Sequence, residues 1–151
     1  MSHARTQVQA AIVTALQAIT GFSTKVFPAR VNPVPEDSLP VILVYSTEEE
    51  IETGTMNPPR TQLRTLTVMV DSVVQLTSGF DTELDDMQED IEKILGGATF
   101  LATITTAKWH DITLVAATKT MSGEPGTTTA ALRMEYRVQY ATLENAPQTL
   151  I

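Results

Sequence analysis

The residues best suited to chemistry lie in one acidic stretch of the chain. Between residues 71 and 92 there are eight Asp and Glu residues and no Lys or Arg. Several of these acids recur at four-residue spacing, so on a helix they would line ridges and could offer carboxylate oxygens to a hard cation. No EF-hand glycine or histidine ligand accompanies them, which favours a solvated acidic surface over a metal site. The ridges would be Asp81, Asp85 and Glu89 on one side and Asp86 and Asp90 on the next.

The sequence carries no recognisable catalytic motif. His110 and Asp111 are adjacent, and neighbours on a strand point to opposite faces, which is poor geometry for a base and the residue that orients it. There is no Gly-x-Ser-x-Gly elbow, no phosphate-binding Gly-rich loop and no His-Glu-x-x-His helix. We therefore expect that the protein is not an enzyme and binds no cofactor and no metal. One alternative stays open: a small metal-dependent enzyme that uses the acids of 81–92.

Composition narrows the class of protein further. With 151 residues, 42% of them hydrophobic, the chain is long enough for one domain with its own core. It has no cysteine and no apolar run near the ~20 residues of a membrane span, so we expect neither disulfides nor a membrane. A net charge of −8 is the wrong sign for gripping phosphates, so specific nucleic-acid binding is not expected.

The acidity of the predicted second helix still needs a reason. Like charges at helical spacing cost stability, so such a face is easier to understand if it repels a polyanion or meets a basic partner. We therefore expect an acidic surface or channel lining formed by Asp81, Asp85, Asp86 and Glu89.

A second candidate surface lies in the stretch 46–60. It is rich in Glu and contains Gly and Pro, which predicts an exposed connection, such as the tip of a long hairpin. Its few apolar residues have no evident place in a core, a mixture typical of a segment that meets a partner. The predicted interface residues are Glu48, Glu49, Glu50, Ile51 and Met56.

Hydrophobic periodicity predicts an α+β fold, a mostly antiparallel sheet with two amphipathic helices, in the order α-β-β-β-α-β-β. A Pro-rich loop is expected over 31–40, and Asp81 or Thr82 is the expected N-cap of the second helix. Both helices should bury one stripe, including Ile12, Leu16, Met87 and Ile91. The predicted helices are 6–20, followed by Gly21, and 84–95; the predicted strands are 24–30, 41–45, 63–70, 112–120 and 131–140.

The closing strand has the clearest pattern, because residues 132–140 alternate apolar and polar without an error. One face of this strand must lie in a core and the other in water. Val138 is predicted to point inward and Gln139 outward. Tyr136 and Tyr140 share the apolar phase, so they and Trp109 are expected to pack in the core instead of stacking on a ligand.

Taken together, these elements resemble the tail terminator proteins of long-tailed phages and prophages, the lambda type. The resemblance covers roughly residues 6–142 and is one of element order and pattern. It rests on the opening helix that ends at Gly21, the strand run from Leu39 to Tyr45, the acidic Glu48-Glu49-Glu50, the strand 63–70, the helix 84–95 and the closing Leu132-x-Met134-x-Tyr136-x-Val138-x-Tyr140.

The resemblance implies a structural virion protein that caps the tail tube, stops its polymerisation and forms the tail side of the head-tail joint. Its implied partners are further copies in a hexameric ring, the tail tube protein and a head-tail connector protein, with DNA passing through the ring. It would reside in the virion, after assembly in the host cytoplasm. We expect one terminator-like domain over 1–142 and a flexible tail over 143–151. Another neck or head-completion subunit is the nearest rival.

Overall fold

The structure, a computed structural model, describes residues 3–23, 25–28, 40–54, 57–75, 79–124 and 127–151. Within these residues the chain forms three helices and five strands, which confirms the predicted α+β class. In chain order they are α1 (Ala4–Leu16), β1 (Val26–Phe27), β2 (Val41–Thr53), β3 (Thr61–Gln75), α2 (Phe80–Leu95), α3 (Ala98–Thr106), β4 (Trp109–Glu124) and β5 (Thr127–Leu143).

The five strands form one sheet in the spatial order β1-β2-β3-β5-β4. Strand β1 runs parallel to β2, and the other neighbours are antiparallel, so the predominantly antiparallel sheet is confirmed. The predicted loop over 31–40 lies, except for Pro40, outside the described residues.

One apolar core joins the three helices to one face of the sheet. We call this the helix face and the opposite side the second face. Helix α1 contacts β2, α2 contacts β3 and β5, and α3 contacts β4. Among the described residues, no helix is long and apolar enough to cross a bilayer. The four helix residues predicted to be buried are buried: Ile12, Leu16, Met87 and Ile91.

Strand β5 has the register that its alternation predicts. Its inward side chains belong to the core, whereas Arg133, Arg137 and Gln139 are exposed on the second face. Trp109 is also buried, and its ring meets Phe100 edge-on at a centroid distance of 5.7 Å. The buried residues of β5 include Leu132, Met134, Tyr136, Val138 and Tyr140.

Strand β2 is much longer than predicted. It continues from the buried run 41–44 through Thr53, where an exposed connection was expected, and pairs with β3 as far as Gln62. The prediction of a loop from residue 46 was wrong because most glutamates of this stretch extend into water, where they cost a paired strand little. The expected hairpin is present, with longer strands and a shorter connection between them.

The second helix begins two or three residues earlier than its predicted N-cap. Gly79 is the N-cap and makes no side-chain hydrogen bond, so Asp81 and Thr82 were wrong as N-caps. Asp81 and Glu83 lie in the first turn instead, where carboxylates favour the positive end of the helix dipole. At the other end a Cβ on Gly97 would lie 2.6 Å from the Lys93 carbonyl oxygen, so glycine permits the sharp turn there.

Helix α3 was not predicted. Its sequence is rich in threonine, whose β-branched side chain has low helix propensity. Here the hydroxyls are satisfied locally, because Thr103, Thr105 and Thr106 donate to carbonyl oxygens four residues earlier at 2.9–3.1 Å. Phe100 and Ile104, one helical turn apart, bury the inner side.

The segment 143–151, expected to be a flexible tail, makes defined contacts in the structure. The backbone N–H of Ala4, in the first turn of α1, donates to the carbonyl oxygen of Pro147 at 2.9 Å. This bond satisfies one of the N–H groups that a helix start leaves unpaired. Leu150 packs against the apolar core. The end of the chain therefore lies against α1 in a way that its composition did not indicate.

Candidate interaction surfaces

The predicted acids of α2 lie on its exposed side, but a lysine partly neutralises them. Lys119 of β4 places its Nζ 2.6 Å from Asp81 Oδ1 and 2.7 Å from Asp85 Oδ1. Glu89 pairs with Lys93 one turn away at 2.7 Å. Lys119 was not predicted as a partner of these acids, because it is distant from them in sequence. Asp86 is exposed on the same helix, so the surface remains acidic but less so than its local sequence indicates.

These ion pairs bear on the metal-site alternative. Hydrogen bonds from its ammonium group to Asp81 and Asp85 raise the pKa of Lys119, so it is charged at neutral pH and occupies the space between the two carboxylates. The pKa of Glu89 is lowered by its hydrogen bond with Lys93. Within the described ranges, no three His, Cys, Asp or Glu side chains are grouped to hold a metal ion.

The predicted interface residues of the β2–β3 hairpin divide into two groups. Glu48, Glu50 and Ile51 are exposed, and Ile51 keeps 51% of its surface accessible. Glu49 lies on the helix face, the same face as Ile51, and its side chain is buried. Met56 lies outside the described residues. Three of the five are therefore exposed on β2, with Glu48 and Glu50 on the second face and Ile51 on the helix face.

Glu49 takes part in a buried polar network instead of an exposed surface. Its carboxylate accepts a hydrogen bond from Arg64 and another from the Tyr140 hydroxyl at 2.6 Å. The side chains of Glu49 and Arg64 are 5% and 7% exposed. Burial, and then the bond to Glu49, raise the pKa of Tyr140, so the phenol stays protonated and keeps donating. Glu49, predicted as an interface residue, is thus held within the fold in this structure.

The remaining donors of Arg64 hold several chain segments together. Its Nε donates to Thr142 Oγ1 at 3.0 Å, and a terminal nitrogen donates to Gln62 Oε1 at 2.8 Å. His3, the N-cap of α1, lies 3.4 Å from Arg64 and accepts a hydrogen bond from the Arg5 N–H at 3.2 Å. The network therefore links the start of α1 to strands β2 and β3 of the hairpin and to the end of β5.

The second face of the sheet carries another cluster that periodicity did not reveal. Asp71 is buried and accepts hydrogen bonds from Tyr45 at 2.8 Å and from Arg133 at 3.1 Å. The bond with Asp71 raises the pKa of Arg133 further above its usual range. All three residues have partners within the fold, so the cluster cross-links β2, β3 and β5 and offers no unsatisfied group for catalysis.

A groove of about 590 Å³ lies between α1 and the junction of α2 and α3. Its walls are apolar apart from threonine hydroxyls and Lys93. This groove was not predicted from the sequence, because one of its walls belongs to helix α3, which was not predicted either. Its lining includes Ala10, Ala11, Thr14, Ala15 and Ala18 from α1, Lys93 and Ile94 from α2, and Ala98, Phe100 and Thr103 from α3.

The described residues thus form an α+β domain in which some charged side chains cross-link the fold and others form exposed surfaces. No protein-family model matches the chain, and no curated protein sequence is significantly similar to it. Among solved structures, it is similar to a chain of the virion of the native gene transfer agent (GTA) particle. The TM-score is 0.50 at 16% sequence identity, over 87% of this chain and 94% of that one. This likeness shows a common fold.

Proposed function

We propose that this protein is a structural component of a phage-like virion, and that it acts as a tail terminator. The observation that carries the proposal is the fold shared with a chain of the GTA virion, which extends over nearly the full length of both chains. The element order and strand pattern that resemble tail terminators support the finer assignment. In this role the protein ends tube polymerisation and forms the tail side of the head-tail joint, as a hexameric ring.

The charge distribution suits this role. DNA that slides through a ring should meet a surface that does not bind phosphates, and the exposed side of α2 carries an excess of carboxylates. Lys119 and Lys93 neutralise some of this charge, and the whole chain still has a net charge of −8. The acids Asp81, Asp85, Asp86 and Glu89 line the channel or a contact between subunits.

The hairpin is the element best placed to reach a partner. It carries Glu48, Glu50 and Ile51 in exposed positions, beside the buried network of Glu49 and Arg64. Exposed acids favour a basic partner surface and discourage unwanted strand pairing, while an exposed isoleucine supplies apolar contact area. Its partners are a neighbouring subunit and the tail tube protein, and the opposite side of the ring meets a head-tail connector protein.

A tube-capping assay tests this function. Purified protein is added to polymerising tail tube protein of the same particle, and tube lengths are measured by negative-stain electron microscopy. We expect shorter tubes with one additional ring at one end. The control is Val138→Asp, which places a charge in the core and removes the fold. Tubes that elongate equally with and without the folded protein would refute the assignment.

A further inference from the structure

The sheet has two open edges in the part of the chain that the structure describes. On one side, β1 pairs only with Ile42 and Leu43, so β2 has no strand neighbour other than β3 over residues 46–53. On the other side, β4 pairs with β5 alone along its 16 residues. An open edge presents unpaired N–H and C=O groups, which can bind another strand.

The backbone of β2 directs every second residue toward its open edge. Gly54 donates its N–H inward, to the Thr61 carbonyl oxygen at 2.7 Å. In an antiparallel pair the residues alternate between pointing both backbone groups at the partner strand and pointing both away from it. Glu49, Ile51 and Thr53 therefore point their N–H and C=O groups outward. Among the described residues, no backbone group bonds to them there.

The open edge of β4 has few of the features that keep strands apart, such as charged side chains, prolines and bulges. Between residues 116 and 122 it has no acidic residue, no proline and no bulge. Its one charged residue in this range, Lys119, turns to α2 and pairs there with Asp81 and Asp85. Met121 keeps 66% of its surface accessible. An edge of this kind is suited to receive another strand.

The strand directions make the two edges complementary between repeated copies. Successive neighbours in the order β2, β3, β5 and β4 are antiparallel, so β2 and β4 run in opposite directions. When copies repeat side by side around an axis roughly parallel to the strands, β2 of one copy lies antiparallel to β4 of the next. The helices of both copies then stay on the same side of the joined sheet.

Charge favours this pairing over a symmetric one. Glu48, Glu50 and Glu52 share the second face of β2, so two β2 edges would set glutamates against glutamates, and like charges directly opposite destabilise a sheet. Two β4 edges avoid this repulsion but leave the β2 edge open. Pairing β2 with β4 covers both edges and keeps the glutamates apart.

We propose that residues 48–53 of one copy add antiparallel to the open edge of β4 in the next copy, with Glu50 opposite Thr120. Glu52 then lies opposite Thr118, on the same face of the sheet. In this register both carboxylates lie beside threonine hydroxyls, which can donate hydrogen bonds to them. The inference rests on the proposed ring and names the contact that closes it.

Apolar residues of the two edges also meet in this register. Ile51 and Met121 both lie on the helix face, where they pair within their own sheets with Arg64 and Ala130. Across the new pair of strands they become diagonal neighbours, a distance that long side chains can span. Both belong to the large apolar side chains that are exposed in the subunit. The pairing therefore brings two of them together.

Because the chain has no cysteine, disulfide formation tests the register directly. Glu50 and Thr120 would form a non-hydrogen-bonded pair, in which the Cα atoms lie about 4.5 Å apart, a distance that a disulfide spans. The Glu50→Cys variant is mixed with the Thr120→Cys variant and oxidised, alone at high concentration and on assembled tubes. The matched control is Thr113→Cys, exposed on the same face of β4 but outside the paired residues.

We expect a covalent dimer when Glu50→Cys is mixed with Thr120→Cys, and its loss when Thr113→Cys takes the place of Thr120→Cys. Absence of the mixed disulfide under both conditions overturns the contact. So does a disulfide between two identical variants that forms as readily as the mixed one, because it indicates a symmetric pair of edges.

Proline tests the backbone contact separately. Ile51→Pro removes an N–H group that points away from β3, so the ladder within the subunit keeps its bonds. Ile51→Thr, the matched control, keeps the N–H group and a β-branched side chain. Added to the Glu50→Cys variant, Ile51→Pro should abolish the mixed disulfide without changing the circular dichroism spectrum, whereas Ile51→Thr should preserve it. A disulfide that survives the proline, or is lost equally in both variants, refutes strand pairing.

The outcomes separate this inference from the function on which it rests. Capped tubes without the mixed disulfide leave the terminator assignment standing and remove the edge contact. A mixed disulfide in a protein that never caps tubes leaves the contact standing and removes the assignment.

Discussion

Three adjacent glutamates of the hairpin have different roles in the structure. Glu48 and Glu50 are exposed, whereas Glu49 is buried against Arg64 and Tyr140. Burying a charge is costly unless it is paired and hydrogen-bonded, and this carboxylate has both kinds of partner. At the scale of single residues, then, the acidic run contains one residue that stabilises the fold and two that are free for contacts.

The first prediction concerns this difference. Glu49→Ala leaves the Arg64 guanidinium buried without its carboxylate, which should cost about 3–5 kcal/mol of unfolding free energy. Glu50→Ala, the matched control next to it, should change stability by no more than about 0.5 kcal/mol. Urea denaturation followed by tryptophan fluorescence measures both. Similar losses for the two variants would contradict the buried network.

A second prediction concerns pH. Burial, and then the charge of Arg5, lower the pKa of His3, with Glu49 opposing and Arg64 adding to the effect. The unfolded chain therefore binds more protons near pH 6 than the folded one, so stability should fall as pH drops through the unfolded value of about 6.5. His3→Asn keeps an N-cap side chain and should remove part of this loss.

The measurement is urea denaturation at about pH 7.5 and about pH 5.5, on either side of the histidine range. His110→Asn, at an exposed position of β4, is the matched control and should retain the full pH dependence. If His3→Asn loses as much stability on acidification as the parent protein, His3 is not the group responsible.

At the scale of elements, periodicity predicts well where one face of an element is apolar and the other polar. Helix α2 and strand β5 follow this rule, and their buried residues were predicted correctly. Helix α3 follows it poorly, because its inner side consists of Phe100 and Ile104 alone and the apolar Leu101 is exposed. Tertiary contacts stabilise α3 instead. Phe100 packs against Trp109, and Gly97 permits the turn before the helix.

Two β-bulges explain why the faces on which Glu49 and Lys119 lie were not predicted. One lies between Ser46 and Glu48 and shifts the alternation by one residue, so that Glu49 points to the helix face. The other lies between Leu114 and Ala116 and brings Lys119 to the same face, within reach of α2. Counting alternate residues through a bulge gives the wrong face, so neither the buried Glu49 nor the Lys119 bridge could be predicted from sequence.

The third prediction concerns the acidic side of α2. Replacing Asp85, Asp86 and Glu89 together with Lys should leave the fold intact, because all three are exposed and surface ion pairs contribute only about 0–1 kcal/mol. Circular dichroism and thermal unfolding measure this. The same variant should assemble poorly or retain DNA, because the proposed channel surface changes sign.

Chelation of metal ions tests the alternative role of these acids, a metal site. EDTA should change neither the stability of the parent protein nor its capping of tubes, since Lys119 neutralises Asp81 and Asp85. Loss of either property on chelation, restored by Mg²⁺ or Mn²⁺, would favour the metal-dependent alternative for the acids of 81–92.

The whole molecule has two candidate surfaces on the helix face of its sheet, one acidic and one apolar. The helix side exposes the acids of α2 and the apolar groove, and the hairpin continues along the sheet beyond Glu49. The segment 143–151 lies against the start of α1 and closes that end of the core.

The most direct test of the central proposal is to locate the protein in its particle by electron cryomicroscopy. We expect a ring of this fold on the last ring of the tail tube, next to the head, with the acids of α2 facing the channel or a neighbouring subunit. Its hairpin should lie against an adjacent copy. Density for this chain within the neck or capsid, separated from the tube end, would contradict the terminator assignment and favour a connector subunit.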